Sequence, residues 1–170
     1  MSIITINEDK LKHLEVDSEN SKVRAILVKD NKLLVANYGG VYLLPGGSIE
    51  DNETKEDAIL RELKEETGIT YNINDLENIL TLNYYQRNYP KRNGKTENRL
   101  MITDFYLSDY RGIDESKVQR TEKEIRDGFY LKLVTAEELY EMLKEPSINP
   151  RKEYFDREIL EAVKTYKKFK

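Results

Sequence analysis

The sequence contains no cysteine and no tryptophan, and its single histidine is His13. The absence of cysteine excludes disulfides, thiolate zinc sites and a cysteine nucleophile. No apolar run approaches the ~18 residues that a membrane span needs. Residues 1–20 carry a charge every few positions, which argues against a signal peptide. We therefore expect a cytoplasmic protein with no membrane partner, and we expect His13 to lie on the surface.

The overall charge is small and slightly acidic, at −4 over 170 residues, of which 38% are hydrophobic and 35% charged. This balance provides no general attraction to DNA or RNA, so a small-molecule partner is expected and polymeric nucleic acid is not. The length suits one domain over residues 1–170. We expect 1–20 to be an N-terminal extension and 151–170 to be a C-terminal helix. The sequence leaves the oligomeric state open, with a homodimer as one alternative.

Short apolar runs alternate with turn residues along the whole chain. Thr54 and Gly68 have the residue types that begin and end a helix, and Thr135 begins another that runs to Lys144. A long polar loop is expected over 86–99. The mixture of strands and helices predicts an α/β or α+β domain. The predicted strands cover 3–6, 23–28, 33–38, 41–44, 79–85, 100–107 and 128–134.

The stretch over 47–69 has eight acidic residues against three basic ones. Glu62, Glu65 and Glu66 stand at i, i+3 and i+4, which places three carboxylates on one face of a helix. They would repel one another unless a cation lies between them, and clustered oxygen ligands suit Mg²⁺ or Mn²⁺. Such a metal activates water for attack on a phosphate, with a neighbouring carboxylate as general base. The alternative is a solvated helix face paired with lysines and arginines.

This stretch resembles the Nudix box, the signature of the Nudix hydrolase family. The resemblance implies an α/β/α sandwich with a mixed sheet and a metal-dependent hydrolase that cuts a phosphoanhydride bond. It implies catalytic metal ligands at Glu62, Glu65 and Glu66, with the Gly46 carbonyl as a further ligand, and a supporting pair between Arg61 and Glu53. The matching residues are Gly47, Glu53, Arg61, Glu62, Leu63, Glu65, Glu66, Gly68 and Ile69.

Candidate substrate-binding residues lie outside the box. In the 86–99 loop, Arg87, Lys91 and Arg92 are suited to holding phosphates, whereas the alternative is a solvated, mobile loop. Tyr85 lies 16 residues beyond Ile69, a spacing that resembles Nudix groups acting on dinucleoside polyphosphates, and it is a candidate for stacking on a base. Arg24 either faces the substrate or serves an edge or ion-pair role.

Two further acids, Glu122 and Glu124, precede the last predicted strand and are candidates for an extra catalytic base, as against a solvated loop. The favoured function is hydrolysis of a nucleoside triphosphate, a modified nucleotide or a dinucleoside polyphosphate with Mg²⁺ or Mn²⁺. A second hypothesis is a sensor of this fold that binds a nucleotide-like ligand without turnover. A third is an isomerase, against which the absence of cysteine counts.

Overall fold

The computed structural model describes all 170 residues as eight strands and four α-helices, with short 3-10 turns at His13–Glu15 and Ile73–Asp75. The mixture of elements agrees with the α/β class expected from the sequence. The strands are β1 Ser2–Ile6, β2 Ser18–Lys29, β3 Lys32–Tyr38, β4 Val41–Leu43, β5 Gly46–Ser48, β6 Glu77–Pro90, β7 Thr96–Asp109 and β8 Tyr130–Val134. The helices are α1 Lys55–Thr67, α2 Glu122–Arg126, α3 Ala136–Leu143 and α4 Lys152–Phe169.

The strands form one mixed sheet in the order β1-β6-β7-β2-β3-β4, with β5 paired to β2 and β8 paired to β3. The β1–β6 and β2–β7 pairs are parallel, and the remaining pairs are antiparallel. Strand β2 is therefore central, and its side chains alternate between two covered faces.

Helices cover both faces of the sheet, which makes it the middle layer of an α/β/α sandwich. Val23, Ala25 and Leu27 of β2 pack with α1 in one apolar cluster. Ile26 faces the other way and packs in a second cluster with residues of α3 and α4. The expected sandwich with a mixed sheet is confirmed. None of the four helices combines the length and the apolar content that crossing a bilayer requires.

The strand predicted over 3–6 within the N-terminal extension is confirmed as β1, which pairs with β6 along its whole length, and Ile6 and Leu11 are buried. The expectation of a long polar loop over 86–99 is wrong. The 86–99 loop is mostly strand, since β6 and β7 continue through it as a hairpin. Polar side chains do not prevent backbone pairing, and an irregularity between Gln86 and Tyr89, where Asn88 has a φ of 54°, lets the pairing continue.

Helix α1 begins and ends as the sequence predicts. The Thr54 hydroxyl accepts a hydrogen bond from the Asp57 amide at 3.1 Å, and Gly68 ends the helix with a left-handed φ of 74°. Thr135 caps α3 in the same way, through the Glu138 amide. The segment that contains Glu122 and Glu124 is a short helix, α2, and not the loop expected, because Thr121 and Glu124 form a reciprocal capping box. His13 is exposed, as expected.

Candidate active site

A cleft of about 1100 Å³ opens between α1, the β2–β5 pair, the β6–β7 hairpin, α2 and the start of α4. Acidic side chains from α1 line one part of it, and basic side chains from β2, β7 and the start of α4 line another. We call Glu62, Glu65 and Glu66 the glutamate cluster. We call Lys22, Arg24, Arg99 and Arg151 the cation cluster.

Two glycines bring the backbone of β5 against the glutamate cluster. Gly46 has a φ of 145°, and a Cβ there would lie 2.0 Å from the Val23 carbonyl oxygen. Gly47 has an ordinary φ, but a Cβ there would lie 2.4 Å from Glu62 Oε1. Only glycine therefore fits at Gly46. At Gly47, the absence of a Cβ leaves room for the Glu62 carboxylate.

Glu66 is a buried carboxylate, only 7% exposed. Its Oε2 accepts a long hydrogen bond of 3.3 Å from the Gly46 amide, and no lysine or arginine forms an ion pair with it. Burial, and next the charge of Glu62, raise the pKa of Glu66 well above its ordinary value, against a lowering effect of Arg24. The negative charge of Glu66 thus lacks a compensating cation.

Arg61 connects α1 to the preceding loop. It makes the expected two-pronged pair with Glu53, at 2.7 and 3.0 Å, and also donates to the Ser48 carbonyl at 3.0 Å. Its Nη1 reaches Glu62 Oε1 at 2.9 Å and Glu65 Oε2 at 3.4 Å. Arg61 therefore holds two of the three cluster carboxylates towards itself.

No group of three acidic or histidine side chains lies close enough together to form a complete metal-coordination site. The ion pairs of Arg61 with Glu62 and Glu65 offer a physical reason, because they compete with a metal for the same oxygens. The donor set nevertheless fits Mg²⁺ or Mn²⁺, which prefer carboxylate and carbonyl oxygens. The uncompensated charge of Glu66 is the feature that a bound cation would satisfy.

Arg24 has the ion-pair role considered for it, but not at an edge, since β2 is central. Its side chain lines the cleft, and its Nε lies 3.6 Å from Glu158 Oε2 of α4. Its Nη1 donates to the Leu44 carbonyl at 3.2 Å, whereas its buried Nε makes no hydrogen bond. Lys91 and Arg92, two of the phosphate-binding candidates from the sequence, also line the cleft.

Three candidate residues lie outside the cleft, which corrects the expectation. Tyr84 packs against Tyr154 of α4, so Tyr85 points to the opposite face of β6. Arg87 pairs with Glu15 at 2.8 Å on the surface. Glu122 is exposed, whereas Glu124 lines the cleft and its charge contributes to the raised pKa of Glu66.

The sequence did not identify several cleft residues. Tyr89, and not Tyr85, is the tyrosine of β6 that lines the cleft, because the irregularity after Gln86 shifts the alternation of side chains. Lys22 lies on the same face of β2 as Arg24, two positions away, and this spacing was the one available signal. Arg151 enters from the start of α4, far away in sequence.

Comparisons with known proteins agree with the geometry. Residues 18–158 match the family model of the NUDIX domain. A 59-residue stretch is 42% identical to ADP-ribose pyrophosphatase of Methanocaldococcus jannaschii, covering 32% of this chain and 35% of that protein. A 36-residue stretch is 58% identical to 8-oxo-dGTP diphosphatase of Proteus vulgaris, covering 21% of this chain and 32% of that protein. The matched part thus spans about a third of either relative's length.

Among solved structures, the NUDIX domain of Shewanella oneidensis NrtR, crystallised with ADP ribose, has a similar fold. The TM-score is 0.53 at 19% sequence identity, over 96% of this chain and 98% of that domain. At this identity the likeness supports the fold alone.

Proposed function

This chain belongs to the Nudix family, and from that premise we propose that it is a divalent-metal-dependent hydrolase that cuts a phosphoanhydride bond in a nucleotide-like substrate. The observation that carries the proposal is the buried, uncompensated carboxylate of Glu66 beside Glu62, against Gly46 and Gly47 of β5. Its setting is a cleft that also contains cations suited to phosphate.

Glu62, Glu65, Glu66 and the Gly46 carbonyl are the groups that would hold Mg²⁺ or Mn²⁺. A metal in such a site neutralises phosphate charge and lowers the pKa of a water molecule. Arg61 orients Glu62 and Glu65 from one side, and the absence of a Cβ at Gly47 gives the Glu62 carboxylate its place. Arg24 lines the cleft, and its guanidinium is our candidate for donating to a phosphate oxygen.

Glu124 is our candidate for the general base. It lines the cleft from α2, is not among the proposed metal ligands, and acts electrostatically on Glu66. One of its oxygens accepts a hydrogen bond from the Thr121 amide at 2.9 Å, which fixes the carboxylate and leaves the other oxygen available. A carboxylate held in this way can accept the proton of an attacking water at Oε2.

The choice of substrates to test follows from the relatives and not from Tyr85. The sequence-based preference for dinucleoside polyphosphates depended on Tyr85, which lies on the wrong face of β6. The relatives named for ADP-ribose and 8-oxo-dGTP make a nucleoside diphosphate sugar and a nucleoside triphosphate the substrates to test first.

The test is a turnover assay over these nucleotides with Mg²⁺ or Mn²⁺, for the wild type, Glu66→Gln and the control Glu56→Gln. Glu56 is on the same helix but does not line the cleft. We expect turnover in the wild type and in Glu56→Gln, and its loss in Glu66→Gln with the fold retained. Nucleotide binding by the wild type without any turnover would instead favour the ligand sensor.

A further inference from the structure

The cation cluster contains more positive charge than the protein itself compensates. The charges of Arg24, Arg99, Arg151 and Glu158 all act on Lys22. Arg99 is also acted on by Glu97, which itself pairs with Lys91 at 3.9 Å. The four cations therefore share two carboxylates, one of which also serves a fifth cation, in a partly enclosed site. Mutual repulsion of this kind is unfavourable unless another anion is bound.

The individual contacts of the cluster leave this excess in place. Glu158 is committed to Arg24, and it also accepts from the Thr103 hydroxyl at 3.2 Å. Arg99 donates to the neutral amide oxygen of Gln86, and Arg151 Nε donates to the Pro90 carbonyl at 2.9 Å. The partners of both arginines are neutral, so neither contact cancels a charge.

Lys22 is the least compensated member of the cluster. Its Nζ lies 5.2 Å from the centre of the Phe155 ring, and no hydrogen bond or ion pair involves it. Burial, and next the charge of Arg24, lower the pKa of Lys22 to about 7. An ammonium group in this position gains from an anionic partner more than a solvated surface lysine would.

Tyr89 serves to place the arginines and is not free to stack on a base. The guanidinium carbon of Arg99 lies 3.3 Å from the centre of its ring, and that of Arg151 lies 5.5 Å from it. The ring of Tyr154 packs against it as well, at 5.2 Å between centroids. The aromatic surface is thus already occupied, which favours an anion over a nucleobase as the ligand of this part of the cleft.

We propose that the cation cluster is a second anion site, which holds a phosphate group of the substrate in addition to the phosphates bound at the glutamate cluster. Arg24 adjoins both sites, since it pairs with Gly46 across β2 and β5 and lies two residues from Lys22 on the same face of β2. The assignment of the bound anion to the substrate rests on the proposed function, whereas binding of an anion by the cation cluster does not. That substrate then carries an extra phosphate, either further along the phosphate chain or as a monoester on the sugar.

The first experiment titrates tripolyphosphate into protein stripped of divalent cations, so that it needs no turnover. We expect the wild type to bind and Lys22→Met to bind about tenfold more weakly or worse, because a charge-assisted contact is lost. Lys22→Arg should restore binding. The matched control is Lys167→Met, since Lys167 also lies over an aromatic ring, that of Tyr140 at 4.8 Å, but outside the cleft.

Melting temperatures separate binding from packing. Lys22→Met keeps an apolar chain against Phe155 and removes an uncompensated charge, so its melting temperature should rise while its affinity falls. A lower melting temperature with unchanged affinity would assign Lys22 to packing and overturn the proposal. Arg151→Gln repeats the affinity test at another position. Its control is Arg111→Gln, because Arg111 also lies over a tyrosine ring, that of Tyr71. No binding by the wild type, or equal binding by Lys22→Met and Lys167→Met, would overturn it too.

The second experiment identifies the source of the phosphate from KM values. A dinucleoside diphosphate, the same compound with a ribose phosphate monoester, and a nucleoside triphosphate are compared in wild type and Lys22→Met. A selective rise in KM for the monoester assigns the site to the sugar phosphate, and a selective rise for the triphosphate assigns it to the chain. An equal rise for all three compounds contradicts a second site. Binding of tripolyphosphate without turnover of any compound would reject the hydrolase and keep the anion site.

Discussion

The adjacent glycines Gly46 and Gly47 should respond differently to substitution by alanine. Gly47→Ala should lose activity and keep its stability, whereas Gly46→Ala should lose stability. At Gly47 the backbone accepts alanine, but the new Cβ would lie 2.4 Å from Glu62 Oε1. A carbon–oxygen contact needs about 3.5 Å, so the carboxylate must move by about 1 Å. Because the carboxylate is the far end of a flexible side chain, it can move at little cost to the fold.

The stability change expected for Gly47→Ala is close to zero. Lower chain entropy in the unfolded state contributes about 0.4–1 kcal/mol in favour of alanine. Weakening of the partly exposed Arg61–Glu62 ion pair costs about 0.2–1 kcal/mol. Activity should nevertheless fall on the order of 100-fold, since a misplacement of about 1 Å in a catalytic site has that effect.

Gly46→Ala should lose stability first. Its φ of 145° is unfavourable for alanine, and its Cβ would lie 2.0 Å from the backbone oxygen of Val23, which cannot turn away. We expect a loss of more than about 3 kcal/mol. Thermal unfolding and kcat/KM with Mg²⁺ are to be measured on both variants. Full activity in Gly47→Ala, or equal melting temperatures for the two variants, would refute this account of the two glycines.

Three further predictions concern the metal, the buried lysine and the excluded candidates. Mg²⁺ at ten times its Kd should stabilise the wild type by about 1.4 kcal/mol, and Glu66→Gln should lose most of that gain in thermal unfolding. Lys22, with Arg24, Arg99, Arg151 and Glu158 as its charged neighbours, has a pKa lowered from 10.5 to about 7. Between pH 7 and pH 10.5 the unfolded chain therefore holds the Lys22 proton more tightly than the folded protein does. Lys22→Met should be more stable than the wild type by on the order of 1–2 kcal/mol. This difference should be full below pH 7 and vanish towards pH 10.5. Tyr85→Phe and Arg87→Gln should leave kcat/KM unchanged, and a tenfold loss in either would return that residue to the site.

The residues that could be predicted from the sequence act through local geometry. The three glutamates share a face because a helix places i, i+3 and i+4 together, whatever the rest of the chain does. Thr54 and Gly68 define the helix ends through hydrogen bonds within a few residues. The pair between Arg61 and Glu53 likewise spans only eight residues.

The residues that could not be predicted depend on contacts between distant segments. The cation cluster forms because β2 lies beside β7 and because α4 begins at the same end of the sheet. No local sequence pattern predicts either arrangement of Lys22, Arg99 and Arg151. The choice of Tyr85 over Tyr89 failed for a different reason. Alternation along a strand predicts facing only while pairing is regular, and one irregularity in β6 reverses it.

Arg24 and Glu158 explain how clusters of opposite charge can share one cleft. Arg24 lowers the pKa of Glu66 and also lowers that of Lys22, so it favours the charged carboxylate and disfavours the charged amine. Glu158 has the opposite effect on Lys22, and it is bound to Arg24 and Thr103. A buried arginine without this carboxylate would have an unpaired charge among other cations. Helix α4 therefore supplies, through Glu158, the charge that compensates Arg24 beside both the proposed metal site and the proposed anion site.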